Sequence, residues 1–128
     1  MDKAKYIWMD GKLVAWDDAK VHILTHTLHY GNGVFEGTRA YMTENGLAIF
    51  KLREHTKRLL NSAKITRIKA TYSLEELEAA HIEVLRSNNF TSNVYIRPLI
   101  YLGYGIMGLN HVQAPVNTAI AAWQWGSY

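Results

Sequence analysis

Residues 29 to 41 read HYGNGVFEGTRAY, and this stretch decides between two different folds. Gly31, Gly33 and Gly37 nearly match the G-x-G-x-x-G pattern of dinucleotide-binding βαβ units. That pattern needs a glycine where Glu36 stands, and the carboxylate of Glu36 would repel a pyrophosphate. It also needs a helix after the loop, whereas the next residues alternate between apolar and polar side chains as a strand does. The stretch therefore argues against a dinucleotide fold, and its glycines and aromatic residues need another explanation.

Short strands are predicted on both sides of this stretch. Alternating or continuously apolar runs indicate them, and turn residues separate them. Asp10-Gly11 and Glu44-Asn45-Gly46 are hairpin signals. The predicted strands are KYIWM (5–9), KLVAW (12–16), TRAYMT (38–43), LAIF (47–50), NVYIRPLIYLG (93–103) and NTAIAAWQW (117–125).

Two amphipathic segments predict the main helices. Residues 52–65 place apolar side chains on one face, with no glycine or proline to interrupt them. Residues 74–88 begin with a capping box, because Ser73 precedes Glu76 by three positions. The apolar stripe of this second helix is expected at Leu74, Leu77, His81, Val84 and Leu85. Residues 17–29 predict a loop with about one helical turn. Two hairpins, two helices and two further strands predict an α+β fold with a largely antiparallel sheet.

The predicted strand at 93–103 carries Tyr95 and Arg97 within a largely apolar run. Tyr95 and Arg97 are two residues apart, so their side chains point to the same face of a strand. Pro98 follows directly and cannot donate a hydrogen bond to a neighbouring strand. We therefore expect this strand to lie at an edge of the sheet or to contain a bulge.

Composition places the chain among ordinary globular proteins. It has 128 residues, 48% of them hydrophobic, and a formal net charge of +3. No cysteine is present, which excludes disulfides and thiolate metal sites and gives no sign of an oxidising compartment. The start of the chain does not resemble a secretory signal, and no apolar run is long enough to span a membrane. The default expectation is a soluble cytoplasmic protein without a membrane partner.

Two other site classes fit the sequence poorly. The basic residues are scattered rather than bunched, and no RNP-like or G-x-x-G clamp is present, so no nucleic-acid partner is expected. His22, His26 and His29 could form a metal cluster. They lack an H-E-x-x-H pattern and any clear helix, so we expect core or hydrogen-bonding roles and no metal.

Three blocks in this order carry a specific resemblance: HYGNGVFEGTRAY (29–41), REHTKRLLNSAKI (53–65) and VYIRPLI (94–100). They resemble the N-terminal part of branched-chain amino-acid aminotransferases, which are fold-type IV pyridoxal-phosphate enzymes. The resemblance runs through nearly the whole chain. It implies the small domain of that fold and a homodimer, or an oligomer built from dimers. It also implies transfer of the amino group of leucine, isoleucine or valine to 2-oxoglutarate with pyridoxal 5'-phosphate.

The resemblance also assigns the centre of the expected site. Arg58 matches the arginine that grips the cofactor phosphate, where a guanidinium fork suits the phosphate oxygens. Tyr95 and Arg97 match the pair that holds the substrate α-carboxylate and its surroundings. Phe35 and Gly37 would line the side-chain pocket, with Gly37 leaving room for a branched side chain.

The remaining expected contacts come from the rim of the pocket. Tyr30 matches a wall residue and hydrogen-bond partner that reaches into the neighbouring subunit's site. Met107 and Leu109 lie in a loop similar to one that closes the pocket across the dimer interface, although core packing is an open alternative for both. Trp125 and Tyr128 match an aromatic cluster in the interdomain segment that caps the pocket.

The catalytic machinery of such an enzyme is not expected in this chain. The family uses a lysine that binds the cofactor aldehyde covalently and a carboxylate on the pyridinium nitrogen, both in a C-terminal domain. No lysine here matches that position; the lysines are Lys3, Lys5, Lys12, Lys20, Lys51, Lys57, Lys64 and Lys69. The expected division is a small domain at 1–122 and the start of an interdomain linker at 123–128, with the C-terminal domain absent.

The abrupt aromatic ending WQWGSY adds the expectation of a truncated chain, inactive alone and weak in cofactor binding. Three alternatives stay open. Two are enzymes of the same fold type, D-amino-acid aminotransferase and aminodeoxychorismate lyase, and the third is a noncatalytic binding fragment.

Overall fold

The computed structural model describes residues 1–125. Three α-helices are present in these residues: α1 (His26–Tyr30), α2 (Leu52–Ile65) and α3 (Leu74–Asn88). The strands are β1 (Tyr6–Met9), β2 (Lys12–Ala15), β3 (Gly33–Phe35), β4 (Thr38–Thr43), β5 (Gly46–Ile49), β6 (Val94–Leu102) and β7 (Val116–Gln124). Both long helices have the predicted bounds, and the single turn α1 overlaps the segment that predicted one. The strand β3 was not predicted, because it has only three residues and one of them is Gly33, which is too little for an alternating pattern.

One antiparallel sheet organises the chain. Its strands lie in the order β2-β1-β7-β6-β4-β5, and β3 also pairs with β6, beyond the start of β4. Both predicted hairpins form, β1 with β2 and β4 with β5. The longest ladder joins β6 to β7 over nine residue pairs, from Val94–Gln124 to Leu102–Val116. The predicted α+β fold with a largely antiparallel sheet is therefore confirmed.

Helices α2 and α3 pack side by side against one face of the sheet. The capping box at the start of α3 forms as expected: the Glu76 amide donates to Ser73 Oγ, and the Ser73 amide donates to Glu76 Oε1. Leu59 of α2 packs with Ile100, whereas Val84 of α3 packs with Ile96, and all four side chains are fully buried. The apolar stripes of both helices thus cover alternate residues of β6.

Pro98 contradicts the expectation of an edge or bulged strand, because β6 is an interior strand. Pairing with β7 continues through Pro98 and Ile120 without a shift in register. On the other side, β3 and β4 pair with β6 in one register and leave a gap opposite Pro98. The Pro98 carbonyl accepts from the Glu36 amide at 3.1 Å, so the missing N–H faces that gap. The prediction was wrong because the interruption lies in the neighbouring strand.

Within residues 1–125, no helix is long and apolar enough to cross a membrane.

Candidate functional site

The face of the sheet turned away from α2 and α3 gathers five of the ten predicted site residues: Phe35, Gly37, Tyr95, Arg97 and Trp125. In β6 the even-numbered residues meet the helices, so the odd-numbered ones lie on the opposite side. Strand pairing sets residues of β4 and β7 beside them, with Arg39 and Trp123 on either side of Tyr95. We call this group the open-face cluster; its members are Phe35, Arg39, Tyr95, Arg97, Trp123 and Trp125.

Arg97 is the centre of the open-face cluster. Its Nη2 donates to the Tyr95 hydroxyl at 2.8 Å, and its guanidinium lies over the Phe35 ring, 4.4 Å from the centroid. The side chain of Arg97 is half-buried, and its Nε is buried with no hydrogen-bond partner within residues 1–125. A buried N–H donor without a partner is costly, so a charged arginine in this position is suited to receive an anionic acceptor.

Gly37 is required by the same cluster. A Cβ at this position would clash with the Tyr95 hydroxyl and lie 3.2 Å from the ring carbon that carries it. The Tyr95 ring cannot easily move, because it packs against Trp123 and Trp125 with centroids 5.1 and 4.7 Å away. The structure therefore gives Gly37 a more specific reason than an open pocket wall: it leaves room for the tyrosine that contacts Arg97.

Arg39 belongs to the cluster and was missed in the sequence. Its guanidinium lies over the Trp125 ring, 4.8 Å from the centroid, and Trp125 is held to the sheet by its amide, which donates to the Asn93 carbonyl at 3.0 Å. The alternation of TRAYMT could have indicated it, since Gly37 and Arg39 share a face. Tyr128, which the sequence placed with Trp125, lies outside the described residues.

Arg58 lies apart from the open-face cluster, on α2, and pairs with Glu36. Its Nε donates to one carboxylate oxygen of Glu36 and its Nη2 to the other at 2.8 Å, while His55 Nδ1 lies 3.1 Å from the second oxygen. The hydrogen bond from Arg58 lowers the pKa of the Glu36 carboxyl; burial acts in the opposite direction, and the bond from His55 lowers it further. Sequence reasoning assigned Glu36 no role in the site.

Tyr30 contacts the loop that carries Met107 and Leu109. The Gly108 amide donates to the Tyr30 hydroxyl at 3.0 Å, and the Gly108 carbonyl accepts from His26 Nε2 at 2.8 Å. The single helical turn α1 thus bonds both the amide and the carbonyl of Gly108. The φ of this glycine is +103°, a value that few other residues adopt. Met107 and Leu109 flank it and are exposed, Leu109 to 84%, so neither fills the core of this chain.

The histidines of the HILTHTLH segment make separate contacts. The His22 ring stacks on Tyr104 with centroids 4.2 Å apart, and His29 Nε2 bonds to the Ile23 carbonyl at 2.7 Å. In the described part of the chain, no group of three or more His, Asp or Glu residues is placed to hold a metal ion. A cavity of about 650 Å³ lies away from all these residues, between β5 and α3, and its lining includes Leu47 and Ile82.

The geometry can be compared with known proteins. The family model for amino-transferase class IV matches residues 33–128, which is most of the chain. The chain belongs to the class IV aminotransferases. Among curated class IV relatives, the branched-chain-amino-acid aminotransferase of Pseudomonas aeruginosa is 50% identical over 127 residues, covering 99% of this chain and 41% of the relative. That of Escherichia coli K12 is 49% identical, covering 98% of this chain and 41% of the relative.

Solved structures of branched-chain amino acid aminotransferases share the fold closely. The crystal structure of the Escherichia coli branched-chain enzyme has a TM-score of 0.92 at 47% identity, covering 98% of this chain and 41% of the other. The T.th. branched-chain enzyme with pyridoxamine 5'-phosphate has a TM-score of 0.94 at 47% identity, covering 100% of this chain and 42% of the other. The chain therefore spans about two-fifths of the length of the relatives it matches.

Proposed function

We propose that this chain is the N-terminal small domain of an aminotransferase that moves the amino group of leucine, isoleucine or valine to 2-oxoglutarate. The observation that carries the proposal is the identity of 48–50% with curated branched-chain aminotransferases over 98–99% of the chain. Such identity favours the same substrate class, because the matched region includes every member of the open-face cluster. The proposed role is biosynthesis of branched-chain amino acids in the cytoplasm.

Pyridoxal 5'-phosphate is the proposed cofactor, and Arg58 is its proposed phosphate ligand. Two of the five N–H groups of the guanidinium are occupied by Glu36, which leaves three donors for an anion. The side chain of Arg58 is 66% exposed, so these donors are accessible. The T.th. relative was solved with pyridoxamine 5'-phosphate, which supports the same cofactor type here. When bound, the cofactor supplies the electron sink that stabilises negative charge at the substrate α-carbon.

Substrate binding is assigned to the open-face cluster. Arg97 would bind a carboxylate, because its Nε is buried without a partner in the described residues and its Nη2 is fixed by the Tyr95 hydroxyl. Phe35 and Gly37 would line the wall for the branched side chain, with the Tyr95 ring occupying the room that Gly37 leaves. Trp125 would cap this wall, and the sequence predicts Tyr128 beside it.

The rest of the site is proposed to come from other chain segments. The loop with Met107 and Leu109, which is bonded to Tyr30, presents exposed apolar side chains. These side chains would enter the pocket of a second subunit in a homodimer. A C-terminal domain would supply the cofactor lysine and the carboxylate for the pyridinium nitrogen. The proposed boundary stays at 1–122 for the small domain, with 123–128 leading to the linker.

A substrate panel tests this function. The protein that carries this chain is expressed from its natural gene, including any reading frame beyond Tyr128, and assayed with pyridoxal 5'-phosphate and 2-oxoglutarate. Activity is expected with L-leucine, L-isoleucine and L-valine, and not with D-alanine or with aminodeoxychorismate. A preference for either of the last two compounds would replace the proposal with the corresponding fold-type relative. No activity on any substrate would favour a noncatalytic binding fragment.

Arg97→Met tests whether the activity depends on the proposed substrate site. This variant keeps the apolar stem and removes the guanidinium, so kcat/KM for leucine should fall by about 30-fold or more. Arg86→Met is the matched control, because Arg86 is an exposed arginine on α3, away from the open-face cluster. Equal activity in the two variants would contradict the assignment of Arg97.

A further inference from the structure

Glu36 is a nearly buried carboxylate in the two-residue connection between β3 and β4. Only 5% of its side chain is exposed. Its backbone is fixed to the interior strand β6, because the Glu36 amide donates to the Pro98 carbonyl at 3.1 Å. Burying a carboxylate is costly unless charged partners and hydrogen bonds compensate it. The position therefore needs an explanation beyond a polar residue in a gap of the sheet.

The partners of Glu36 are arranged as a bidentate clamp on Arg58. Both carboxylate oxygens accept from the guanidinium, one from Nε and one from Nη2, and His55 lies against the second oxygen at 3.1 Å. A bidentate pair fixes the plane of the guanidinium as well as its distance. Arg58 itself is 66% exposed, so without Glu36 its long side chain would sample many rotamers.

The clamp also decides which donors of Arg58 remain. Nε and one N–H of Nη2 point to Glu36, and within residues 1–125 no acceptor meets Nη1. The free donors of Arg58 are therefore both N–H groups of Nη1 and the second N–H of Nη2, at the end of the guanidinium away from Nε. Glu36, whose amide is bonded to the Pro98 carbonyl of β6, fixes the plane in which these donors lie.

We propose that Glu36 is a positioning residue, which holds Arg58 so that its Nη1 edge binds the phosphate monoester of the cofactor. The proposal rests on the proposed function, because it needs Arg58 to be the phosphate ligand. It also explains why a carboxylate occupies the slot of the third glycine in HYGNGVFEGTRAY: its charge is directed at Arg58 and not at the phosphate.

A second arginine of α2 forms ordinary ion pairs with α3. Arg53 donates from Nη1 to Glu78 at 2.8 Å through one hydrogen bond, its Nη2 lies 3.7 Å from Glu75, and its side chain is half exposed. Such surface pairs contribute little and do not fix orientation. The contrast makes Glu78→Gln the matched control for Glu36→Gln, since each change removes a carboxylate from an arginine of α2.

Two physical effects of Glu36→Gln have opposite signs. Removing a negative charge near the site raises the positive potential and would tighten the binding of any anion. Removing one arm of the clamp frees the Arg58 side chain and weakens binding, because the guanidinium must be ordered again. The positioning role requires that the loss of order in Arg58 outweighs the gain in positive potential. The dissociation constant for the phosphate ligand should therefore rise, and a fall would contradict the role.

The experiment compares pyridoxal 5'-phosphate with pyridoxal, which lacks the phosphate. Dissociation constants are measured by absorbance titration on the whole protein and on its Glu36→Gln, Glu78→Gln and Arg58→Ala variants. In Glu36→Gln, binding of pyridoxal 5'-phosphate should weaken about tenfold, a loss typical of removing the group that orients a ligand-binding side chain. Binding of pyridoxal should change less than about twofold, and Glu78→Gln should change neither constant.

Each other outcome has a defined meaning. Tighter or unchanged phosphate binding in Glu36→Gln, with a clear loss in Arg58→Ala, overturns the positioning role and leaves the proposed function intact. If Arg58→Ala shows no loss specific to the phosphate, the positioning role of Glu36 and the proposed role of Arg58 as phosphate ligand are both contradicted. Equal weakening of both ligands in Glu36→Gln means damage to the fold and also overturns the proposal.

Glu36→Asp keeps the experiment decisive if Glu36→Gln does not fold. Aspartate retains the charge but is one carbon shorter, so the clamp loosens while the local charge is unchanged. A loss confined to pyridoxal 5'-phosphate supports the proposal, whereas equal losses for both ligands contradict it.

Discussion

The two faces of β6 differ in packing and in polarity. On the face that meets the helices, Ile96 and Ile100 are fully buried among other apolar side chains. On the open face, Tyr95 and Arg97 are half-buried beside aromatic rings, and one arginine nitrogen has no partner within residues 1–125. One strand thus serves two purposes, because alternation sends successive side chains to opposite sides.

The difference teaches where stability and recognition are located. The covered face is packed with buried apolar side chains, so a change there should reduce the free energy of unfolding and affect binding only indirectly. The open face leaves a charged donor unsatisfied within the described residues, so a change there should affect ligands more than folding. The predictions that follow test this division, starting from the largest effect.

The largest effect is expected in the covered core. Ile100→Ala removes a fully buried side chain that packs with Leu59 of α2, so the free energy of unfolding should fall by about 2–5 kcal/mol. Its neighbour Leu99 is half-buried on the opposite face, and Leu99→Ala should cost less than about 1.5 kcal/mol. Urea unfolding of both variants measures the difference. Equal losses would show that the open face is part of the core.

The next effect is expected where the open face is tightly packed. Gly37→Ala should destabilise the protein by about 1–3 kcal/mol, because the new Cβ displaces the Tyr95 hydroxyl. In a Tyr95→Phe background the hydroxyl is gone, so the same change should cost at least about 0.5 kcal/mol less. A double-mutant cycle by urea unfolding measures this coupling. Additive losses would mean that Gly37 is needed for another reason.

A smaller effect is expected at the loop beside the open face. Tyr30→Phe removes the acceptor for the Gly108 amide and should cost about 0.5–1.5 kcal/mol. Hydrogen exchange at the Gly108 amide should become faster. Tyr6→Phe is the control, since Tyr6 and Tyr30 are 40% and 37% exposed. Unchanged exchange in Tyr30→Phe would show that His26 alone holds the glycine.

The smallest effect at neutral pH concerns His81, on the helix side of the molecule. Burial lowers its pKa, the hydrogen bond to the Leu77 carbonyl opposes this, and repulsion from His55 lowers it further. The folded pKa is therefore below the unfolded value of about 6.5, and the unfolded chain binds more protons as the pH falls below that value. Stability should decline below about pH 6.5.

His81→Leu isolates this contribution, because leucine does not titrate. Urea unfolding between about pH 5 and 8 should show a weaker decline below about pH 6.5 in His81→Leu than in the unchanged protein. Above about pH 7.5 the difference between the two proteins should be constant. An identical pH dependence in both would mean that the pKa of His81 is the same in the folded and unfolded chains.

Much of the fold was readable from local signals. The helices at 52–65 and 74–88 were predicted to the residue, because uninterrupted periodicity marks the first and a capping box starts the second. Both hairpins followed from their turn residues. The short strand β3 and the interior position of β6 were not predicted, since both depend on which strands become neighbours.

The candidate site was predictable in part and for a different reason. The placement of Tyr95 and Arg97 on one face follows from their spacing alone. Arg39 follows the same rule but was missed, because the resemblance implies no role for that position. The pairing of Glu36 with Arg58 spans 22 residues, and no local pattern indicates it.

By itself, the sequence determined the helices, the hairpins, the family and the face on which Tyr95 and Arg97 stand. These depend on neighbours along the chain, whose geometry is set by residues three or four positions apart in a helix and two apart in a strand. Only the tertiary structure decided that Pro98 faces a gap, that Gly37 makes room for Tyr95 and that Glu36 pairs with Arg58. Those contacts join segments whose meeting depends on the order of strands in the sheet, and local periodicity carries no information about that order.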